Sequence, residues 1–474
     1  MSRLPPGPTS IGLFDHLRAA LSSPVPLLKR CAARYGDPFR IPTNTRPLTF
    51  TGDPEAIRAI YTADPDTFDV WGTKAVEPVF GTTSLVVSAG ERHKRDRKLL
   101  TPPFHGSAMR AHGATIAQIA ARAAAQWTPG RPFSMLEATQ SIALDIIVRV
   151  VFGVEGDART QRTREAVLRL IDSFHPVIFI FPAVRRELGG FGPWAQNRRR
   201  TAALDALLGE EIDARRGAID ARQDILSMML RARYDDGAAM STAELTDQLR
   251  TLLFAGHETT AVALAWAFYW LHREPEALAR LRDELDALGP EPAPEALASL
   301  PYLEAVCQET LRMHPPVVDV ARVPRRPFDL VGYTIPAGEG VCPSPLLLHM
   351  REDLYPEPER FRPSRFLDRK LSPFDYIPFG GGARRCLGAA FAMYEMKVVL
   401  GTVLRAHRLR LARPASHAPV QHVRRGITLG PNRGIEMVLE GSQSSQSSQS
   451  SERANRNDRP ARRVDKECGR AHPA

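Results

Sequence analysis

The stretch from Ser241 to Glu274 constrains this chain more than any other. Ser241 with Glu244 three positions later has the form of a capping box, which satisfies backbone donors at a helix start. Apolar residues then recur at helical spacing until Pro275, whose ring stops a helix. A helix of that length is roughly 50 Å long and crosses a whole domain. Its most apolar part, Leu252 to Leu271, carries His257, Glu258, Thr259 and Thr260 in the middle. Polar side chains at that depth are costly in lipid, so the segment reads as the buried axis of a water-soluble protein. An apolar fraction of 43% with 24% charged residues supports the same reading.

Around that axis, helical periodicity predicts further helices at 91–100, 107–126, 135–152, 160–173, 193–217, 275–287, 302–313 and 387–406. Strand candidates are short: Leu48–Thr51, Phe328–Val331, Gly340–Pro343 and Ile435–Leu439. The expected fold class is therefore mainly α with small β-sheets, a single large helix-rich domain over 1–440. From 441 the composition changes to SQSSQSSQSS followed by a basic segment, and 441–474 is expected to be a disordered tail.

The formal charge of +10 favours an anionic partner, but the basic residues form no nucleic-acid motif and aromatics are only 7%. An acidic protein partner fits better than nucleic acid. Five cysteines, Cys31, Cys307, Cys342, Cys386 and Cys468, stand far apart without a CxxC pair, which excludes a disulfide framework or zinc site. That usage and an N-terminus without an apolar leader or membrane anchor predict a cytoplasmic protein.

One of those cysteines stands in PFGGGARRCLG, Pro378 to Gly388, just before a helical pattern. Glycines tolerate close approach of a flat ligand, free N–H groups at a helix start favour a thiolate, and Arg384 can meet an anionic group. A glycine turn with an incidental cysteine would look similar over three residues, but the pattern is longer. It resembles FxxGxRxCxG, the haem-binding signature of the cytochrome P450 family, at Phe379, Gly382, Arg384, Cys386 and Gly388, with Gly380 beside them. The resemblance implies haem b held between the long helix and the cysteine loop, with Cys386 as the iron ligand whose electron donation assists O–O cleavage.

The centre of the long helix supports the same resemblance. His257-Glu258 does not continue to HExxH, because position 261 is Ala. Ala255-Gly256-His257-Glu258-Thr259-Thr260 is instead similar to the family's (A/G)Gx(D/E)T(T/S) motif, which implies that Glu258 and Thr259 relay protons to the oxygen being activated. Gly256 shares a face with Thr259 and leaves room for a diatomic ligand. A threonine in mid-helix also bonds back to the carbonyl four residues earlier.

Further matches carry further implied roles. Glu309 and Arg312 in ETLRMHPP, with Arg360 in the PERF segment, resemble a structural Glu-Arg-Arg triad behind the cysteine loop. Five basic residues crowd the positions between Glu91 and Lys98. The family implies that His93 and Arg97 on that helix, with Arg322, meet the haem propionates, although relatives carry Trp at the position of His93. Ala255 would border the haem.

The resemblance implies that the stretches most variable in that fold line the substrate pocket; here they are apolar, at Val70–Val87, Phe174–Val184, Leu253–Thr259, Val317–Val320 and Ile427–Leu429, and Phe174, Phe179, Phe254, Val318 and Thr428 are the candidate substrate contacts. The expected activity is monooxygenation, hydroxylation or epoxidation, of a lipophilic fatty acid, terpenoid or steroid with O2. Electrons would come from a ferredoxin or flavodoxin with its NAD(P)H reductase, docked by charge on a monomer. The alternatives are a peroxide-dependent hydroxylase, which would lack the acid-threonine pair, and a non-catalytic haem-based gas sensor or carrier.

Overall fold

The computed structural model describes residues 3–442 apart from 13–14, 16–17, 20–21, 44, 174–184, 186–188, 218, 220–221 and 415–416. The expected tail therefore lies outside the described residues, as do Phe174 and Phe179. The long helix spans Thr242–Arg273, and Ser241 and Glu244 exchange both hydrogen bonds of the capping box. Its C-terminal half is buried on every side, with Ala261, Val262, Leu264, Ala265, Trp266, Ala267 and Phe268 almost fully covered. The Met135–Ile146 helix packs along it most extensively, and Ala389–Ala406 and Pro301–Met313 add to the cover. The main hydrophobic cluster joins buried residues from Leu85 to Leu439 around this helix, with smaller satellite clusters on the sheet side.

Most predicted helices are present with shifted ends, at Gly90–Leu100, Asp157–Ile171, Pro193–Arg216, Pro275–Asp286 and Pro301–Met313. The predicted 107–126 helix is broken into Gly106–Arg110 and Gly113–Ala124. At Gly113 a Cβ would lie 2.2 Å from the Tyr394 hydroxyl, so the second piece packs tightly on the helix that follows the cysteine loop. Met135–Ile146 ends in a π-helical turn, Ile147–Val151, which faces the polar centre of the long helix. Short helices such as Val25–Tyr35, Pro54–Thr62 and Thr73–Phe80 fall below the length at which periodicity is decisive.

The sheets lie to the side. A five-stranded sheet has the order Phe39–Ile41, Leu48–Thr51, Gly340–Pro343, Arg322–Pro324 and Phe68–Val70. Its parallel pair joins Leu48 to Gly340 and Thr51 to Pro343, residues from opposite ends of the chain. Three strands form a second sheet, Pro132–Ser134, Glu436–Ser442 and His407–Leu411. Two hairpins remain, Phe328–Leu330 with Tyr333–Ile335 and His422–Arg425 with Thr428–Pro431. Val331, expected to end a strand, takes φ 42° and begins the turn.

A buried carboxylate organises the region behind the cysteine. Arg312 grips Glu309 with Nε at 2.7 Å and Nη2 at 3.0 Å, and both side chains are fully buried. The expected third member, Arg360, is not there. It is exposed, on a turn begun by Glu357 at φ 52°, and pairs with Glu357. Arg365 takes the position, its Nε donating to Glu309 at 3.1 Å, while the Arg362 N–H donates to the same oxygen at 2.8 Å. The sequence repeats Arg-Phe at 360–361 and 365–366, and only the second turns its guanidinium inward.

From this cluster, bonds lead directly to the loop. Arg312 Nη1 donates to the His349 carbonyl, and His349 Nδ1 to the Arg312 carbonyl. The Ile377 N–H donates to His349 Nε2 at 3.0 Å, which fixes the ring as the Nδ1–H tautomer, and Gly380 N–H donates to the Ile377 carbonyl. Burial, reinforced by Arg312, lowers the His349 pKa to about 3. The folded state then excludes a proton that the unfolded chain binds below about pH 6.5, so stability falls as pH drops from there towards 3.

Two measurements check this arrangement. Arg365→Gln should cost about 3 kcal/mol in urea unfolding, because a buried carboxylate loses a partner, whereas Arg360→Gln should stay within about 0.5 kcal/mol. Between pH 6.5 and 4.5, His349→Gln should flatten the decline of stability, by up to about 1.4 kcal/mol per pH unit.

Candidate active site

Cys386 stands between a short 3-10 turn, Gly382–Arg384, and the helix beginning at Ala389, two residues later than expected. Its N–H donates to the Phe379 carbonyl at 2.9 Å, so Phe379 and Cys386 close the loop on themselves. Gly380 and Gly382 both have φ 64°, a conformation that favours glycine. The glycines also serve a packing role that the sequence did not show. A Cβ at Gly381 would lie 2.2 Å from the Tyr61 ring, and one at Gly382 would lie 2.4 Å from the Tyr61 carbonyl. The loop is thus pressed against the Pro54–Thr62 helix.

Cys386 is exposed, while Cys31, Cys307 and Cys342 are buried. Protein nevertheless surrounds its sulfur on most sides. Burial pushes the thiol pKa up, opposed by the Gly388 N–H and by Arg97 and Arg385. A thiolate here is favoured chiefly by a cation bound to the sulfur.

Beside it lies positive charge without a matching anion. His93 feels Arg384, Arg97 and Arg322, and burial together with those three lowers its pKa to about 4. Arg384 is lowered to about 10, by burial and then by Arg322 and Arg97. Among the described residues the three guanidiniums bond only to neutral groups. Arg97 donates to the Arg385 carbonyl at 2.6 Å, Arg384 to the Ser88 carbonyl at 2.5 Å, and Arg322 to the Ile60 and Gly381 carbonyls at 3.1 and 2.8 Å. Arg322 also stacks over Tyr61. Two half-buried arginines, a buried one and a neutral histidine without a carboxylate are stable chiefly when an anionic ligand joins them. The exposed cysteine and this cluster therefore fit an iron porphyrin with acidic side groups.

On the long helix, Ala255 is exposed and its carbonyl accepts from the Thr259 hydroxyl at 2.5 Å. Gly256 does not open space for a small ligand, since a Cβ there would lie 2.6 Å from Ile147 Cδ1. The Glu258 carboxylate is held by two residues that sequence reasoning missed, Gln140 at 2.8 Å and Arg425 at 3.1 Å. Phe254 lies edge-on to Phe80. Val318 is not a free pocket surface but part of a core cluster with Leu28, Phe39 and Leu429, and buried Thr428 spends its hydroxyl on the Arg425 carbonyl. The exposed apolar side chains of the same segments are Val86, Val320 and Ile427.

The basic helix is largely neutralised. Arg92 pairs with Asp96 and Glu244, Lys94 with Glu91 and Asp66, Arg95 with Asp236 and Lys98 with Asp235. A cleft of about 370 Å³ lined by Phe133, Tyr269, Arg273 and His417 contains none of the cysteine-loop residues. Among the described residues no helix is long and apolar enough to cross a membrane.

The fold and the cysteine site define a haem-thiolate protein, and comparison with known proteins agrees. The cytochrome P450 family profile matches residues 5–435. The chain is 37% identical over 439 residues to cytochrome P450 135B1 of Mycobacterium tuberculosis, covering 91% of this chain and 90% of that one. It is 35% identical to cytochrome P450 138 of the same organism, covering 92% and 96%. A retinoic-acid-bound cyanobacterial CYP120A1 superposes with a TM-score of 0.81 at 26% identity, covering 93% of this chain and all of that one. A cytochrome P450DA haem domain shares the fold, with a TM-score of 0.81 at 23% identity. The chain belongs to the cytochrome P450 family and is a monooxygenase of that family.

If Arg384 holds an acidic group of the haem, Arg384→Gln should release haem to apomyoglobin about tenfold faster or more, the loss of one charged hydrogen bond. Release at the wild-type rate would remove that assignment.

Proposed function

We propose that this enzyme hydroxylates or epoxidises a lipophilic small molecule, a fatty acid, terpenoid or steroid, with O2 and electrons from a separate ferredoxin or flavodoxin and its NAD(P)H reductase. The observation that carries the reading is the exposed Cys386 beside the unmatched cluster of His93, Arg97, Arg322 and Arg384. Haem b, with its two propionates, suits that cluster, and when bound it supplies the chemistry of oxygen activation.

The chain's own residues hold and dispense the rest. Arg97, Arg322 and Arg384 orient the cofactor by its acidic edge, and His93 remains neutral and donates a hydrogen bond there. Phe379 and Gly388 shape the loop around the sulfur. Ala255 leaves the long helix thin where it faces the cofactor. Thr259 and Glu258 pass protons inward, the threonine hydroxyl by leaving the Ala255 carbonyl and the acid by drawing on solvent at its partly exposed carboxylate. That acid-threonine pair favours O2 over peroxide as oxidant, and it gives a mere gas carrier no purpose.

A lipophilic substrate is supported by Val86, Val320 and Ile427, exposed apolar residues on three separate segments. The cyanobacterial relative with retinoic acid binds an isoprenoid of that character. For the electron donor, four of the five cations on the basic helix already have carboxylate partners. With Arg97 engaged at the cofactor, exposed Arg385 remains for an acidic donor, so docking depends only shallowly on salt.

Dodecanoic acid, a sesquiterpene and a steroid, each mixed with the haem-loaded protein, form a first panel for spin-state shifts. With the responding compound, reductant and ¹⁸O2, the product should carry one labelled oxygen. Product labelled from water, or reductant consumed only to hydrogen peroxide with every compound, contradicts the reading.

A further inference from the structure

Glu258 stands in the long helix with both carboxylate oxygens engaged from different directions. Gln140, on the Met135–Ile146 helix, donates Nε2 to one oxygen at 2.8 Å. Arg425, at the end of the His422–Arg425 strand, donates Nε to the other at 3.1 Å. The neighbouring Thr139 hydroxyl donates to the Ala261 carbonyl at 2.9 Å, so the two helices are pinned together just beyond the acid.

The path of Arg425 is built into the hairpin. Gly430 lies on the partner strand, opposite Val423. A Cβ at Gly430 would lie 2.6 Å from Arg425 Cδ and 3.2 Å from Val262 Cγ2. The backbone does not demand this glycine, because its φ is outside the left-handed region. Its missing side chain is the channel through which the arginine stem crosses the strand, beside Val262, and reaches Glu258 one turn earlier. Arg425 also accepts the Thr428 hydroxyl on its carbonyl at 2.9 Å, and next to it Arg424 pairs with Asp319. The guanidinium is therefore attached to the hairpin that presents Ile427 to solvent. A partly exposed ion pair of this kind adds little to stability, so its consequence lies in where it holds the acid.

We propose that Arg425, admitted by Gly430, is a positioning residue that, opposite Gln140, fixes the Glu258 carboxylate beside Thr259, so that the His422–Pro431 hairpin decides where the acid stands. This rests on the proton-relay role given to Glu258 above. It makes the hairpin a determinant of proton delivery as well as a wall for the substrate.

The infrared stretch of carbon monoxide bound to the reduced, haem-loaded protein reports the electric field in the distal pocket and needs no substrate. Glu258→Gln should shift this band. Arg425→Gln and Gly430→Ala should shift or broaden it in the same sense, and Arg425→Lys should restore part of the wild-type band. The double variant Arg425→Gln with Glu258→Gln should match Glu258→Gln alone. Melting temperature and carbon monoxide stoichiometry close to wild type identify folded variants. If Gly430→Ala fails that control, the Arg425 variants decide alone. Wild-type bands in Arg425→Gln and Gly430→Ala, alongside a shifted Glu258→Gln, overturn the positioning role and leave the relay intact. An unmoved band in Glu258→Gln overturns both. Neither result touches the monooxygenase reading, which the oxygen label tests separately.

Discussion

The Glu309 carboxylate is the group on which the rest of the site depends. A charge without water must be paid for by partners, and here four donors supply it: two nitrogens of Arg312, Nε of Arg365 and the Arg362 N–H. Those partners belong to separate turns of chain, so satisfying one carboxylate fixes several segments at once. Through Arg312 and His349 the same bonds reach Ile377 and then Gly380. A glycine-rich loop has little conformational preference of its own, and this scaffold supplies the rigidity that a metal-binding cysteine requires.

The two clusters of charge in the molecule are opposite in kind. Around Glu309 both carboxylate oxygens accept from charged or backbone donors, and the carboxylate is satisfied. Around His93, Arg97, Arg322 and Arg384 the guanidiniums, among the described residues, donate only to carbonyls, and burial lowers the pKa of each group, with repulsion from neighbouring arginines adding to it at His93, Arg97 and Arg384. Closed networks support structure, and open ones are completed by a ligand. The pairing around the basic helix is intermediate. Four of its five cations are matched by carboxylates, so much of the chain's positive charge does not gather there.

What the sequence revealed was local. The cysteine loop and the polar centre of the long helix are contiguous motifs, and the capping box and Pro275 mark the helix ends because their physics acts within one turn. What it concealed depends on contacts between distant segments. Arg360 and Arg365 both precede phenylalanine, and only the turn at Glu357 decides which one meets Glu309. Gln140, Arg425 and His349 have no local signature, since their partners lie far away in the chain. The glycines conceal partners for the same reason: Gly256 yields to Ile147 where space for a small ligand was expected, and Gly381 and Gly382 admit Tyr61, which no local pattern announces. Val318 and Thr428 lie on segments with exposed apolar neighbours, but the alternation of a strand or bend turns them inward.

The most direct test of Cys386 as iron ligand is the difference spectrum of the reduced protein with and without carbon monoxide. A strongly red-shifted, thiolate-type Soret band that is lost in Cys386→Ala is the predicted result. A band typical of histidine-ligated haem, or a thiolate band that survives the substitution, contradicts the account.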